Sequence, residues 1–209
     1  AVHFSLALNL GDRKHAWKLE KRKDASVTRV IQVTYDKPGL FSKMAGVFTL
    51  NNMEILSASI FVLKNGLAFD TYEATNPPDV YHETEKWARA QHDLNETLDD
   101  RLLLDRLIQE KRDAKMPGAY GRQVRKKVVV NNEDSDFFTL IEIRSGARLG
   151  LLYDLACVIF SMGLDIRTAK VNSDGEKMTG VFYVRDSVGQ KVYEPDAIAE
   201  AERRLMAVL

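Results

Sequence analysis

Between Val27 and Pro77 the spacing of hydrophobic positions switches from a strand period to a helix period and back. Val30, Gln32 and Thr34 alternate with Ile31, Val33 and Tyr35, the pattern of a half-buried strand. The run stops at Asp36-Lys37-Pro38-Gly39, after which Leu40, Met44, Val47, Phe48 and Leu50 mark one face of a helix. Asn51-Asn52 closes that helix, and Ile55 to Leu63 reads as a second strand. Asn65-Gly66 is a strong hairpin signal, and Leu67 to Ala74 makes a third strand. The predicted order is strand, glycine turn, helix, strand, hairpin, strand.

The same pattern returns in "FFTLIEIRSGARLGLLYDLACVIFSMGLDIRTAKVNSDGEKMTGVFYVRD". When Gly150 is laid on Gly39, Leu151 falls on Leu40, Ala156 on Ala45, Val158 on Val47, Ile166 on Ile55 and Ala169 on Ala58. Asp174-Gly175 meets Asn65-Gly66 with a slip of two residues. A shared glycine, helix face and hairpin make a tandem repeat of one domain type.

The flanks refine this picture. Residues 1–14 resist assignment, since "HFSLALNL" reads equally as a helix end or a strand. Ala16 to Glu20 alternates weakly, and Lys21 to Ser26 is a polar turn. Ahead of the second repeat stand Arg125 to Val130 and the turn Asn131 to Asp136. Each repeat therefore starts with an extra strand hairpinned onto its first one. After its third strand each repeat has only helix left. The first, Tyr81 to Arg112, carries Trp87, Ala90, Leu94, Leu98, Leu102, Leu107 and Ile108 at helical spacing and stops at Pro117-Gly118. The second runs from Pro195 to Val208. These elements predict an α+β fold: two ferredoxin-like repeats, each a four-stranded antiparallel sheet with two helices on one face. The inferred order is a permuted ββαββα. The rival is that Arg125–Val130 closes the sheet of the first repeat. The other sheet face is left to pack on a second sheet or a neighbour. The boundaries are an unassigned remnant at 1–14, a first domain at 15–116, a basic linker at 117–124 and a second domain at 125–209.

Composition excludes several classes. With 45% hydrophobic and 29% charged residues the chain is ordinary globular protein, and 30 basic against 30 acidic residues leave no global field to recruit nucleic acid or an anionic membrane. Cys157, the single cysteine, lies on the apolar face of the second repeat's helix, which fits a reducing cytosol. No apolar run approaches membrane-spanning length, no signal peptide is visible, and the expected location is cytoplasmic. A start at Ala1 fits a fragment of something longer.

The glycine turns are the candidate site. Gly39 and Gly150 sit between a strand and a helix N-terminus, where unpaired amides and the helix dipole favour an anion. The missing Cβ lets a carboxylate approach closely. Asp36 at the strand end, or Glu54 at the start of the next strand, offers a partner for an ammonium group, so the set suits a zwitterion. The competing reading is a plain tight turn with Asp36 as a cap. Other motifs carry less. His92-Asp93 lacks ligand spacing and reads as an exposed helix position, and Asp134-x-Asp136 reads as a solvated hairpin. No metal site is expected in this chain. Gly118-x-x-Gly121 has basic flanks, but a strand follows where a nucleic-acid-clamping loop would need a helix, so a solvated linker is expected.

The stretch "VTYDKPGLFSKMAGVFTLNNMEILSASI" with "FDTYEATNP" resembles an ACT domain, the small-molecule-binding regulatory module of amino-acid metabolism. "GLLYDLACVIFSMGLDIRTAKV" with "GVFYVRD" resembles another. The phrases "GLAFDTYEATNP", "GLLYDLA" and "GEKMTGVFYVRD", in that order, make the pair similar to the C-terminal tail of the PII uridylyltransferase/uridylyl-removing enzymes of bacterial nitrogen control. The resemblance implies ACT pairing, within the chain or in a homodimer, with an amino acid at the interface. The implied contacts are Asp36, Pro38, Gly39, Leu40, Glu54 and Ile55 in the first copy. In the second they are Gly150, Leu151, Asp165 and Ile166, with Ala147 and Leu149 standing where the turn's Asp and Pro would be. A single dominant site in the first copy is one expectation, and Gly39→Val is then expected to abolish binding. The implied ligand is glutamine and the implied partner is PII, reached through a parent enzyme. No cofactor is implied here, while a divalent metal would serve missing catalytic domains. This chain reads as the sensor and not the catalyst. The alternative is an ACT module of another amino-acid enzyme or a stand-alone ACT-repeat regulator.

Overall fold

The computed structural model describes residues 2–8, 10–11, 15–21, 26–114, 124–173 and 176–209. The hairpin at Asp174-Gly175 and nearly all of the basic linker, including Gly118-x-x-Gly121, lie outside the described residues.

The first repeat comprises β1 (His15–Lys21), β2 (Val27–Tyr35), α2 (Leu40–Leu50), β3 (Ile55–Val62), β4 (Leu67–Thr75), α3 (Glu83–Leu98) and α4 (Leu104–Asp113), preceded by α1 (Val2–Leu8). The second comprises β5 (Lys127–Asn131), β6 (Thr139–Gly146), α5 (Leu151–Ser161), β7 (Leu164–Ser173), β8 (Lys177–Asp186) and α6 (Pro195–Val208). All eight strands form one antiparallel sheet in the order β1-β2-β4-β3-β7-β8-β6-β5. Each half repeats the order of the other, and the halves join through β3 and β7, where Ala58 faces Ala169. Those two residues are equivalent in the repeat, so a pseudo-twofold axis passes between them. The pairing of ACT-like units is thus within the chain, as one continuous sheet.

Register settles the strand order. β5 pairs with β6 (Val128 opposite Ile143), and β1 pairs with β2 (Trp17 opposite Gln32), giving ββαββα in both copies. The strand at Arg125–Val130 therefore belongs to the second repeat. Helices α2 and α5 pack side by side over the junction, which is why α2 buries nearly its whole circumference from Leu40 to Phe48. Residues 1–14 do include a helix: α1 lies on the opposite sheet face, where His3 stacks on Phe69 and Leu6 packs with Val33.

One expectation fails. The helix from Tyr81 to Arg112 is two helices, broken at Asp99–Leu103. Asp100 adopts φ 55, its amide bonds to Thr97 O, and the Arg101 amide bonds to Glu96 O. This is a Schellman stop with aspartate in the left-handed position. Arg101 reinforces it with two hydrogen bonds to the Glu96 carboxylate, at 2.9 and 2.7 Å. The leucine spacing runs through the break, so periodicity hides it. Packing requires it: α3 covers its own sheet through Trp87, Ala90, Leu94 and Leu98, whereas α4 turns toward the second repeat.

Gly46 on α2 marks the tightest crossing. A Cβ there would lie 2.8 Å from Leu104 Cδ1 and 2.9 Å from the Tyr153 ring. Tyr153 cannot swing away freely, because its hydroxyl donates to Asp105 Oδ1 at 2.7 Å. Gly46→Ala should therefore destabilise the protein by roughly 1–2 kcal/mol, since overpacking outweighs the helix-propensity gain. Urea unfolding checks this, and an unchanged midpoint would show that the crossing relaxes.

The two cores differ. In the second repeat Ile143 faces Gly180, next to Phe182. The equivalent first-repeat positions hold Gln32 opposite Asp70, next to Tyr72, all under the helices and fully buried. His15 is buried on the same face, and burial pushes its pKa down, with the neighbouring Asn95 side chain opposing. Tyr72 donates to Asp70 Oδ2 at 3.2 Å, while Asp70 Oδ1, both polar atoms of the Gln32 side chain and both His15 ring nitrogens lack a hydrogen-bond partner.

Candidate functional site

Each glycine turn ends a central strand and opens a helix, and each glycine is left-handed: Gly39 at φ 70 and Gly150 at φ 72. Neither N-cap supplies a side-chain hydrogen bond to its helix. The Leu40 and Leu151 amides turn back to Lys37 O at 3.0 Å and Arg148 O at 3.2 Å, which leaves the glycine amides and the helix dipole facing the space in front of them. What faces them is decided by the pseudo-twofold axis. Antiparallel pairing of β3 with β7 sets the start of one repeat's strand against the glycine turn of the other.

The turn at Gly150, with Ala147, Leu149 and Leu151, therefore confronts Asn52, Met53, Glu54 and Ile55 of the first repeat. Between them is a cavity of about 320 Å³, with Thr49, Ser173 and Met178 completing its walls. Its size lies at the lower end of small-molecule sites. Glu54 is exposed at its rim. Arg148, beside the turn, is committed elsewhere: it bonds Val208 O at 2.6 Å and Asp154 at 2.5 Å.

The turn at Gly39, with Asp36 and Leu40, confronts Leu164, Asp165, Ile166 and Arg167 of the second repeat. The space there is only about 30 Å³, roughly one water's share of the liquid. A Cβ on Gly39 would lie 3.3 Å from the Phe160 ring, which occupies the position Thr49 holds at the other cavity. Arg167 pairs with Asp165 at 2.9 Å. Burial, and then the Asp165 charge, push the Asp36 carboxyl above its usual range, with Arg167 opposing. Pro38 lies exposed at the turn and lines neither space.

The residues expected of one site are thus divided between two. Asp36, Gly39 and Leu40 gather with Asp165 and Ile166, whereas Glu54 and Ile55 gather with Gly150 and Leu151. The larger space belongs to the second turn. Thr49, Asn52, Ser173 and Met178 had no signal in sequence as site residues, because their role depends on how the repeats pair. His92 is exposed on α3, and its neighbour Asp93 accepts a hydrogen bond from the Asn51 side chain at 2.9 Å. Among the described residues no His, Cys, Asp and Glu cluster is arranged to hold a metal, and no helix is long and apolar enough to cross a membrane.

Comparison with known proteins fits this geometry. Residues 135–208 match the ACR family N-terminal ACT domain. Over 191 residues the chain is 31% identical to a bifunctional uridylyltransferase/uridylyl-removing enzyme of Gluconobacter oxydans (strain 621H), a match covering 89% of this chain and 20% of that protein. It is 30% identical to the enzyme of that name from Azospirillum brasilense, covering 88% and 20%. The counterpart from Nitrobacter hamburgensis (strain DSM 10229 / NCIMB 13809 / X14) is 31% identical over 209 residues, covering 100% and 22%. The chain spans about a fifth of the length of these curated relatives. It is accordingly homologous to the ACT region of uridylyltransferase/uridylyl-removing enzymes.

Proposed function

We propose that this chain is an amino-acid-sensing regulatory region, with its ligand held in the cavity at the Gly150 turn. The observation that carries the reading is the pairing, across about 320 Å³, of an uncapped helix N-terminus with a carboxylate from the other repeat. The Gly150 amide and the positive end of the helix it opens suit the ligand carboxylate. Glu54 suits its ammonium, and Asn52 and Ser173 offer hydrogen bonds to a polar side chain such as the amide of glutamine. Glutamine is the ligand we favour. The site joins two repeats, so occupancy favours one arrangement of them, which is what allosteric control requires. In a parent enzyme that control would fall on uridylylation of PII in the cytoplasm, with metal-dependent chemistry in other domains. An ACT module of a different amino-acid enzyme, or a stand-alone regulator, is the second reading, because the ACT likeness holds for all of them.

A thermal-shift panel of the twenty amino acids, followed by calorimetry, tests this. A ligand at 100 times its dissociation constant adds about 2.7 kcal/mol. A shift confined to glutamine supports nitrogen sensing. A different amino acid would keep the sensor and remove the PII connection, and silence across the panel would defeat the sensor reading. Glu54→Ala should weaken binding by about tenfold, the scale of one charge-assisted hydrogen bond. Asp165→Ala should change it less than about twofold, since Asp165 faces the closed turn. Equal losses in calorimetry would show that both turns bind.

A further inference from the structure

The cavity at Gly150 has walls from two repeats, and one helix holds both. Lys111 on α4 donates from Nζ to the carbonyls of Thr49, at 2.8 Å, and Leu50, at 2.6 Å, in the last turn of α2. The next residue, Arg112, donates from Nε to the carbonyl of Leu149 at 3.1 Å and from its guanidinium to Asp154 Oδ2 at 2.7 Å. Thr49 stands in the first-repeat wall and Leu149 in the second-repeat wall. Both Arg112 and Ile108, one turn back, press on the turn: a Cβ on Gly150 would lie 2.6 Å from the Arg112 guanidinium and 3.0 Å from Ile108 Cγ2.

Among the described residues the first turn has no such arrangement. Lys37 donates to Leu98 O at 2.5 Å, at the end of α3, just as Arg148 reaches Val208 O at the end of α6. The equivalent of Asp154, however, is Lys43, which bonds Thr97 O at 3.3 Å and Asp100 at 2.8 Å within its own repeat. The described second repeat has no counterpart of α4.

We propose that Lys111 and Arg112 are positioning residues that tie occupancy of the cavity to the docking of α4; this rests on the amino-acid reading above. A ligand spanning the Gly150 amide and Glu54 fixes the separation of the two walls. The two cations are anchored on those same walls, and at the wall separation seen here adjacent residues of one helix make all four bonds at once. Ligand and α4 therefore stabilise the same arrangement, and by linkage each strengthens the other.

The test uses the full chain, glutamine as probe, calorimetry and amide hydrogen exchange. Saturating glutamine should slow exchange across residues 107–113 at least about fivefold and leave α6 unchanged. Lys111→Ala and Arg112→Ala should each weaken glutamine at least about fivefold. Arg112→Lys, which keeps the charge but cannot serve Leu149 O and Asp154 together, should fall between. The exchange measurement on the unaltered protein stands even if a variant fails to fold. Glutamine binding without slower exchange in α4, or alanine variants of undiminished affinity, would overturn the inference while leaving the sensor reading intact. Absence of binding by every amino acid would remove both.

Discussion

Replacing Asp70 by asparagine should raise stability at pH 8 by up to about 4 kcal/mol while leaving it nearly unchanged at pH 4. Asp70 is fully buried on β4, opposite Gln32 and beside Tyr72. Burial is the main cause of its raised pKa, about 7 against an ordinary 3.8; the Tyr72 hydroxyl and Arg167 oppose it, and Asp36 adds to it. The folded state therefore holds a proton that the unfolded chain has released. That contribution is complete below about pH 4, declines as pH rises, and is gone above about pH 7, where the fold must carry a buried carboxylate. Asparagine imitates the neutral acid and can still accept from Tyr72, so its stability should be flat over that window. His15 titrates with the opposite slope, since burial lowers its pKa and folding favours the neutral ring, but this cancels in the difference between variant and parent. Thermal unfolding of both from pH 4 to 8 checks the prediction. Parallel curves would show that Asp70 is ionised in the fold throughout.

That polar core was only half legible in the sequence. The alternation of β2 placed Gln32 on the same face as Val30, but nothing local said that this face would be covered, or that Asp70 would lie opposite. The repeat, both glycine turns and the helix at Pro195–Val208 were readable because each rests on local chemistry: a glycine at positive φ, a proline at a helix start, a two-residue period. Three features depend on tertiary contacts and were not readable. The break at Asp99–Leu103 is set by the need for α4 to leave its own sheet. The membership of β5 is set by which edge was free. The partition of the site follows from the pairing of β3 with β7, which sends Glu54 to the turn of the other repeat. Sequence alignment of the two copies places Glu54 and Gly39 in one unit. The sheet places them in different pockets.

The two glycines offer a matched pair for testing that partition. Valine at Gly150 or at Gly39 meets nearly the same backbone, φ 72 or φ 70, so each variant should carry a similar strain of roughly 1–3 kcal/mol. Their surroundings differ. At Gly150 even a Cβ would stand 2.6 Å from the Arg112 guanidinium and 3.0 Å from Ile108, so a valine either displaces the guanidinium from Leu149 O and Asp154 or shifts the turn and its amides. At Gly39 it would meet Ser42 Oγ at 3.1 Å and the Phe160 ring at 3.3 Å, beside a space already too small for an amino acid. Gly150→Val should thus weaken amino-acid binding by at least about a hundredfold, because the Gly150 amide and the helix dipole are lost to the ligand together where Glu54→Ala removes one contact. Gly39→Val should be destabilised to a similar degree yet bind within about threefold of the parent, contrary to what the turn alone implies. Calorimetry at a temperature where both variants remain folded separates strain from site. Loss at Gly39 with retention at Gly150 would move the ligand to the first turn, where Phe160 would have to swing aside to admit it.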